Sequence, residues 1–446
     1  MVLPSNNSRT FAVFANVCRW VLSLVLMLSG FLKATDPVGG VYKLQEYVAA
    51  FSLSGISDDW LLVFSVVQAA AEFLLGICLF VGIYRGAVTF MALIVMLLFT
   101  PLSLYVWVSG VVTDCGCFCE SVTMSNGATF AKNVLLLLFA VVAFWGRSLF
   151  ICRMSRKTRW VFVLFSLAYI FSMQLFAVMH LPLLDSGPYA VGGNIRSKVE
   201  YVPDEYEYKA VYYNKETGNG EPFVVDSDTV MGGEWELDGY TEVLVAPGTE
   251  PEISNFSILD WDRDIEFADE LLADAGYVCI VAIDDVRMAS VTHVDRINDL
   301  YDYCRANGIR FYATSSSYGD DVLLWRKRTG AEYPLYWSEQ VMLRSMLHAN
   351  PGLLLLKDGV VVGKWAAADI PAIDECDASL LLADAVESRN AGVPPLYLWV
   401  AVLLGWAGAL LLIDASLVGI GRRRRKRAMR IAAQEQALEE KTSDTI

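Results

Sequence analysis

Apolar and polar positions vary along this chain on two scales. On the longer scale six apolar stretches stand out, at about 11–32, 61–81, 87–108, 132–150, 160–181 and 396–418. A helix needs about 18–20 apolar residues to cross a hydrocarbon core, and each stretch meets that length. On the shorter scale, Val41, Leu44, Val48 and Phe51 recur at helical spacing in the polar link 33–60. That spacing predicts an amphipathic helix on the membrane surface.

Between 185 and 393 the pattern shortens again. Tyr208–Tyr213, Phe223–Val225 and Trp235–Val245 alternate with the period of strands, and Glu216-Thr-Gly-Asn-Gly220 between the first two reads as a hairpin turn. Tyr277–Ile283 is a continuous apolar run, the mark of a buried strand. Ile297, Leu300, Tyr301 and Cys304 share one face of a predicted helix, 294–306, which Gly308 ends. A strand at Ile309–Ala313 follows, so strand, helix and strand form a parallel right-handed crossover. Leu353 to Trp365 reads as an antiparallel hairpin turning at Asp358-Gly359.

Composition agrees with a mixed protein. Hydrophobic residues make up 55% of the chain and the mean hydropathy is +0.42, yet 19% of residues are charged. The basic link residues then orient the spans. Arg9, Arg85, the group Arg147, Arg153, Arg156, Lys157 and Arg159, and the run Arg422–Arg427 all fall on one side when the spans alternate. This predicts a multi-pass protein of the cytoplasmic (inner) membrane with both termini in the cytoplasm. The links 33–60 and 109–131 and the stretch 185–393 then lie outside it, in the periplasm. No small-residue cleavage site follows the first span, which is expected to be a retained helix. The net charge is −15, and 185–393 holds more than twice as many Asp and Glu as Lys and Arg. Such a domain repels phosphates, so a nucleic-acid partner is excluded and membrane lipid is the expected contact of the basic edges.

The candidate chemistry lies in the second outer link, Asp114-Cys115-Gly116-Cys117-Phe118-Cys119-Glu120. A Cys-x-Cys pair can cycle between dithiol and a strained, readily reduced disulfide. Asp114 and Glu120 oppose thiolate formation. A structural disulfide pinning the link is the alternative, and zinc is disfavoured because three thiolates within five residues do not wrap a tetrahedral ion. Glu72, inside the second span, is costly at membrane depth and calls for a partner; Lys33, at the outer end of the first span, is the candidate. Cys18, Cys78 and Cys152 read as small apolar fillers. Cys279, Cys304 and Cys376 are scattered, and sequence does not pair them.

Two resemblances rest on these residues. Asn350-Pro351 and the hairpin after it resemble the C-terminal half of a thioredoxin-like fold, in which a cis proline precedes the hairpin; Pro351 matches that position. Pro251-Glu-Ile-Ser-Asn-Phe256 and the strand at 277 extend the likeness over about 140 residues. The departure is Asp284–His293, which holds no cysteine where that family carries its dithiol, so the resemblance implies a redox-silent domain. The first 150 or so residues are similar to the DoxX/MauE family of four-helix membrane proteins, through Ser29-Gly-Phe-Leu-Lys33, Ala71-Glu-Phe-Leu-Leu-Gly76 and Asp114-Cys-Gly-Cys-Phe118. That family is linked to thiosulfate:quinone electron transfer and to maturation of a disulfide-rich methylamine dehydrogenase subunit. Cys119 departs from the family's Cys-Gly-Cys-Phe-Gly and leaves open which pair reacts.

The expected organisation is a membrane α-helical bundle with an extracytoplasmic α/β thioredoxin-like domain. It divides into a DoxX/MauE-like four-helix domain (1–155), a fifth span (156–184), a β-rich segment (185–250), the thioredoxin-like domain (251–393), a sixth span (394–420) and a basic tail (421–446). The expected function is extracytoplasmic thiol–disulfide or sulfur redox chemistry at Cys115, Cys117 and Cys119, with Lys33 and Glu72 as a polar pair in the bundle. A quinone is the implied acceptor, and a thiol/disulfide protein or a small sulfur compound the implied partner. The alternative is a non-catalytic, membrane-anchored interaction protein. A transporter is disfavoured, since the spans show no internal repeat.

Overall fold

The computed structural model describes residues 6–53, 55–112, 124–150, 154–155, 158–185, 187–214, 223–226, 233 and 235–370, and the helix 396–416 apart from residue 411. Among these residues six helices are long and apolar enough to cross a membrane: α1 (Asn6–Thr35), α3 (Asp58–Val81), α4 (Arg85–Ser109), α5 (Asn126–Trp145), α6 (Arg159–Met179) and α12 (Leu396–Ser416). They match the six apolar stretches. The protein is a multi-pass membrane protein with a separate sheet-rich C-terminal region.

Small residues set how closely the spans approach. A Cβ on Gly30 of α1 would lie 2.6 Å from the Ala69 carbonyl oxygen and 2.8 Å from Phe73 Cα on α3. One on Gly76 of α3 would lie 2.7 Å from Met27 Cα on α1. The two backbones touch at these glycines, the means by which helices gain packing where water supplies no hydrophobic drive. Phe73, Leu22, Leu26, Ile77 and Met96 fill the core around them, and Phe162, Tyr169 and Met173 of α6 extend it. The Tyr169 hydroxyl donates to the Trp399 carbonyl of α12 (2.9 Å), and Ser155 and Thr158 donate to the Asp414 carboxylate. Asp414 is therefore buried and hydrogen-bonded to the residues that lead into α6.

Chain direction gives the bundle two distinct ends. Arg85 begins α4, Arg147 follows α5 and Arg159 begins α6, so these basic residues share one end. The opposite end holds the last turns of α1 and α4, the first turns of α3 and α5, and a further helix, α2 (Pro37–Ala50). The predicted amphipathic segment is thus helical. Asp36 caps it by accepting from the Gly39 amide (2.8 Å), and Pro37 supplies the preset φ of a first turn. It does not simply float on a membrane surface. Ser65 of α3 donates to the Pro37 carbonyl (3.0 Å) on one side, and the C-terminal region covers another. Gly39 and Gly40 permit both approaches: a Cβ on Gly39 would meet His348 Cε1 at 3.1 Å, and one on Gly40 would meet Ser65 Cβ at 3.3 Å.

The C-terminal region contains two sheets. The smaller joins β1 (Glu205–Asn214), β2 (Phe223–Asp226) and β3 (Trp235–Ala246), antiparallel, in the order β2-β1-β3. The expected hairpin turn at 216–220 lies outside the described residues. The larger sheet also includes β4 (Leu259–Asp260), β5 (Ile265–Glu266), β6 (Tyr277–Ile283), β7 (Arg310–Ser315), β8 (Leu335–Trp337), β9 (Gly352–Lys357) and β10 (Val360–Ala366). Its order is β10-β9-β6-β7-β8-β4-β5. Strands β6, β7 and β8 are parallel, and β9 runs antiparallel to β6 and pairs with β10. The short helices α7 (Ile195–Val199) and α8 (Ala268–Leu272) precede β1 and β6, helix α9 (Val294–Asn307) makes the β6–β7 crossover, and α10 (Asp320–Thr329) lies between β7 and β8. Asp358 and Gly359 turn the last hairpin with φ of 51° and 70°, the left-handed pair of a type I′ turn.

Strand β6 shows why its sequence is apolar throughout. Val278, Ile280 and Ala282 enter one core with Tyr189, Leu271, Met342 and Met346. Cys279, Val281 and Ile283 enter the other with Ile297, Leu300, Cys304 and Trp325. A strand covered on both faces has no polar alternation to display.

Candidate functional site at the α2 end of the bundle

Lys33 lies in the last turn of α1, and Glu72 in the middle of α3. The close glycine-mediated packing of these two helices brings their side chains together. Lys33 Nζ is 2.6 Å from Glu72 Oε1. Ser29, one turn before Lys33, donates to Oε2 (2.6 Å), and Gln68, one turn before Glu72, donates to Oε1 (3.1 Å). Phe99 of α4 presents its ring 5.3 Å from the Lys33 ammonium. Glu72 is 2% exposed and Lys33 is 14%, so the carboxylate is sealed and the ammonium keeps a narrow opening. The cluster balances its charge and fills the carboxylate with donors, which is what allows an ionisable group at this depth.

Three residues past Lys33 begins a second polar cluster. The two oxygens of Asp36 divide their work: one caps α2 and the other lies 2.7 Å from His348 Nδ1. Tyr42 of α2 meets the His348 ring edge-on at 5.5 Å, and the Arg344 guanidinium stacks 4.9 Å over Tyr42. Arg344, from α11 (Gln340–Met346), donates to Gln45 of α2 and through Nε to Asp284 Oδ2 (3.0 Å). Gln45 in turn donates to Asp58 at the start of α3 (2.6 Å). Burial pushes the Asp284 carboxyl above the usual carboxylate range, and the Arg344 charge opposes that rise. Burial also holds the Tyr42 hydroxyl well above the ordinary tyrosine value, with Asp284 adding to the effect.

These contacts select one face of the α/β region. Asp284 and Asp285 follow β6, and Asn350 donates to the Asp285 carbonyl (3.1 Å) while its own carbonyl accepts from the Ser290 amide (3.0 Å). The Asn350–Pro351 peptide bond is cis. The segment 284–290, Pro351, Arg344 and His348 therefore converge at one end of the large sheet, and α2 lies against that end. A main-chain strap reinforces it, since Leu183 after α6 donates to the Thr35 carbonyl (3.1 Å).

Cys115, Cys117 and Cys119 lie outside the described residues, but the flanks of their link are defined. Asn126 donates to the Val112 carbonyl across it (3.3 Å), and Trp107 stacks on Phe130 at 5.6 Å. Phe51, which closes α2, stacks on Tyr105 near the end of α4 at 4.8 Å. The link thus springs from the same end of the bundle as α2. Of the residues singled out by sequence, Lys33 and Glu72 are in contact, and Pro351 sits in the face that α2 meets. Asp36, Tyr42, Gln45 and Arg344 were not singled out. Asp36-Pro37 carries the cap-then-proline signal of a helix start, which could have located α2; nothing in the sequence pairs Arg344 with it.

Six membrane-length helices and a mixed sheet docked on one end define a polytopic membrane protein with an α/β appendage. Its N-terminal part is MauE-like: residues 11–146 match the family model described as methylamine utilisation protein MauE, which is less than half of the chain. No curated protein and no solved structure matches the chain.

Proposed function

We propose that this protein performs thiol–disulfide or sulfur redox chemistry on the outer side of a cytoplasmic membrane, with the link 113–123 as the reacting element. The observation that carries this reading is the convergence at one end of the bundle. The flanks of the thiol link, the Lys33–Glu72 pair and the α2-docked face of the α/β region all lie there. The reading takes this end as the outer one, supported by Arg85, Arg147 and Arg159 at the opposite end and by the tendency of basic residues to stay in the cytoplasm.

In this reading a substrate with two thiols is oxidised by a disulfide formed among Cys115, Cys117 and Cys119. A substrate thiolate attacks one sulfur of the link, the S–S bond breaks, and the second substrate thiolate displaces the link from the mixed disulfide. The substrate gains an S–S bond, and two electrons and two protons leave with the link as its dithiol. Ser29 and Gln68 are already engaged by the sealed Glu72 carboxylate, so the Lys33 ammonium, 14% exposed beside the Phe99 ring, is the group of this cluster that would meet a quinone carbonyl. A quinone held there would supply a two-electron acceptor for the dithiol.

The α/β region is proposed to be thioredoxin-like, supported by its β6–α9–β7 crossover, its cis proline and the antiparallel hairpin after it. With Asp284–Ser290 where a dithiol would stand, it presents a substrate and does not react with it. One feature favours a second reading, a non-catalytic anchored interaction protein: α2 already covers the face in which that dithiol would lie.

The test separates the two. Alkylation-trapped mass spectrometry of Cys115, Cys117 and Cys119 in intact membranes should show a pair that mild reductant opens and added quinone closes. Cys115→Ser and Cys117→Ser should each abolish thiol-linked electron transfer while the protein stays folded. Normal transfer by both variants refutes the proposal, and a disulfide that resists mild reductant makes the link a structural staple.

A further inference from the structure

Cys279 and Cys304 are far apart in sequence but adjacent in the fold. Cys279 is the third residue of β6 and points into the core under α9. Cys304 lies in the last turn of α9, where its carbonyl accepts from the Gly308 and Ile309 amides. Their sulfurs are 3.7 Å apart, and the two residues are 3% and 1% exposed. Val281, Ile297, Leu300 and Leu355 belong to the same apolar cluster. A thiol in such a place usually serves as a small hydrophobe. Both are free thiols in this structure, but two sulfurs already in contact differ from a lone thiol, because an S–S bond of about 2.05 Å is the covalent form of such a contact.

We propose that Cys279 and Cys304 are joined in the mature protein by a buried disulfide that staples β6 to α9. Two thiols become one S–S bond, and a disulfide-bearing oxidant of the dithiol-oxidase or glutathione class becomes two thiols. One cysteine thiolate attacks the oxidant and releases its first sulfur. The other cysteine then attacks the mixed disulfide and releases the second, and the two protons end on the oxidant's thiols. The supply of such an oxidant rests on the outer placement of this region argued above.

Timing follows from burial. The hydrogen bond with Cys304, then burial, hold the Cys279 thiol well above its ordinary range, so exchange is suppressed once α9 has packed. The bond therefore forms while β6 and α9 assemble, and it is shielded afterwards. It is not a catalytic couple; it pins the crossover helix to the strand whose far end leads into Asp284 and the α2 contact.

The experiment uses the full-length protein from native membranes, alkylated under denaturing conditions before any reductant and digested for mass spectrometry. The expected result is a linked peptide joining Cys279 to Cys304 that mild reductant leaves intact until the protein is unfolded. The unfolding temperature of the α/β region should fall by roughly 5–10 °C when strong reductant is present during unfolding. The double variant Cys279→Ala/Cys304→Ala should lose that sensitivity. Accessibility of this region to an impermeant protease in intact cells is measured in parallel. Free Cys279 and Cys304 in an externally accessible region overturn the disulfide and leave the orientation standing. Free thiols in an inaccessible region overturn both. A link from either cysteine to Cys376 or to the 115–119 cluster overturns the pairing.

Discussion

Removing either member of the Lys33–Glu72 pair should be costly, and the two losses should differ. At 2.6 Å and an effective dielectric of about 20, the gross attraction is about 6 kcal/mol, most of it offset by desolvation of the two charges. Lys33→Met leaves a carboxylate with 2% exposure and only the Ser29 and Gln68 donors. Loss of one partner from a buried pair costs about 3–5 kcal/mol, and about 3 kcal/mol is expected here because those two donors remain. Glu72→Leu leaves an ammonium that is 14% exposed and can lean toward the polar end of the bundle, so about 2 kcal/mol is expected. The double variant removes both charges and replaces them with apolar volume, at a net cost of about 2 kcal/mol. The resulting coupling is about 3 kcal/mol, against an average of about 0.6 kcal/mol for polar contacts between membrane helices. The assay is reversible unfolding of the full-length protein in mixed micelles, run as a double-mutant cycle. A coupling below about 0.6 kcal/mol, or a Glu72→Leu loss larger than that of Lys33→Met, would refute the view that this is a sealed and mutually dependent pair.

Gly30→Leu and Gly76→Leu should each separate α1 from α3, since even a Cβ meets backbone there, and both should lower unfolding temperature and the yield of folded protein; native-like stability in either would show that the helices are not held at those glycines. Arg344→Leu should make stability more dependent on pH. The Asp284 carboxyl is already raised by burial and loses its main opposing charge, so the folded state prefers the proton more strongly. For a raised carboxyl the stability is greatest at low pH and declines as pH rises through the folded-state value, which lies above about 3.9. The deficit of the variant in thermal unfolding should therefore shrink as pH is lowered from 7 toward 5, and a deficit that is constant or grows on acidification would count against it.

Much of the fold was legible because its determinants are local. A span needs length and hydropathy, and all six emerged at nearly the observed bounds. Strand β6 is one unbroken apolar run, α9 ends at Gly308 with φ of 69°, and the last hairpin turns on Asp358-Gly359. The pairing of Glu72 with Lys33 could be guessed because a buried carboxylate requires a cation and few were near in sequence. What could not be read depends on contacts between distant segments. Arg344 lies 299 residues from Gln45, and Cys304 meets Cys279 across a crossover whose register no periodicity reveals. Helix α2 was foreseen by its spacing, but its partner was not. An amphipathic pattern specifies that a face will be covered; it does not specify by what.

That last point bears on how the two parts of the molecule work together. Asp36 follows Lys33 by three residues, so the cap of α2 is continuous with the end of α1 that carries the ammonium. The same carboxylate touches His348, two residues before Asn350-Pro351. A displacement of the α/β region would thus pull on the α2 cap and, through the last turn of α1, on Lys33. Conversely, a change of charge at Glu72 alters what holds Lys33 in place. Coupling of this kind requires an element that both sites bias, and α2 with its closing residue Phe51 touches α3, α4 and the α/β face together. If the thiol link is the reacting element, α2 is the route by which substrate bound to the outer face would be sensed in the bundle. The Lys33→Met variant should then weaken the α/β docking as well as the bundle, seen as faster proteolysis between residues 185 and 250. Unchanged proteolysis in a variant whose bundle is measurably loosened would show that the two parts are joined but not coupled.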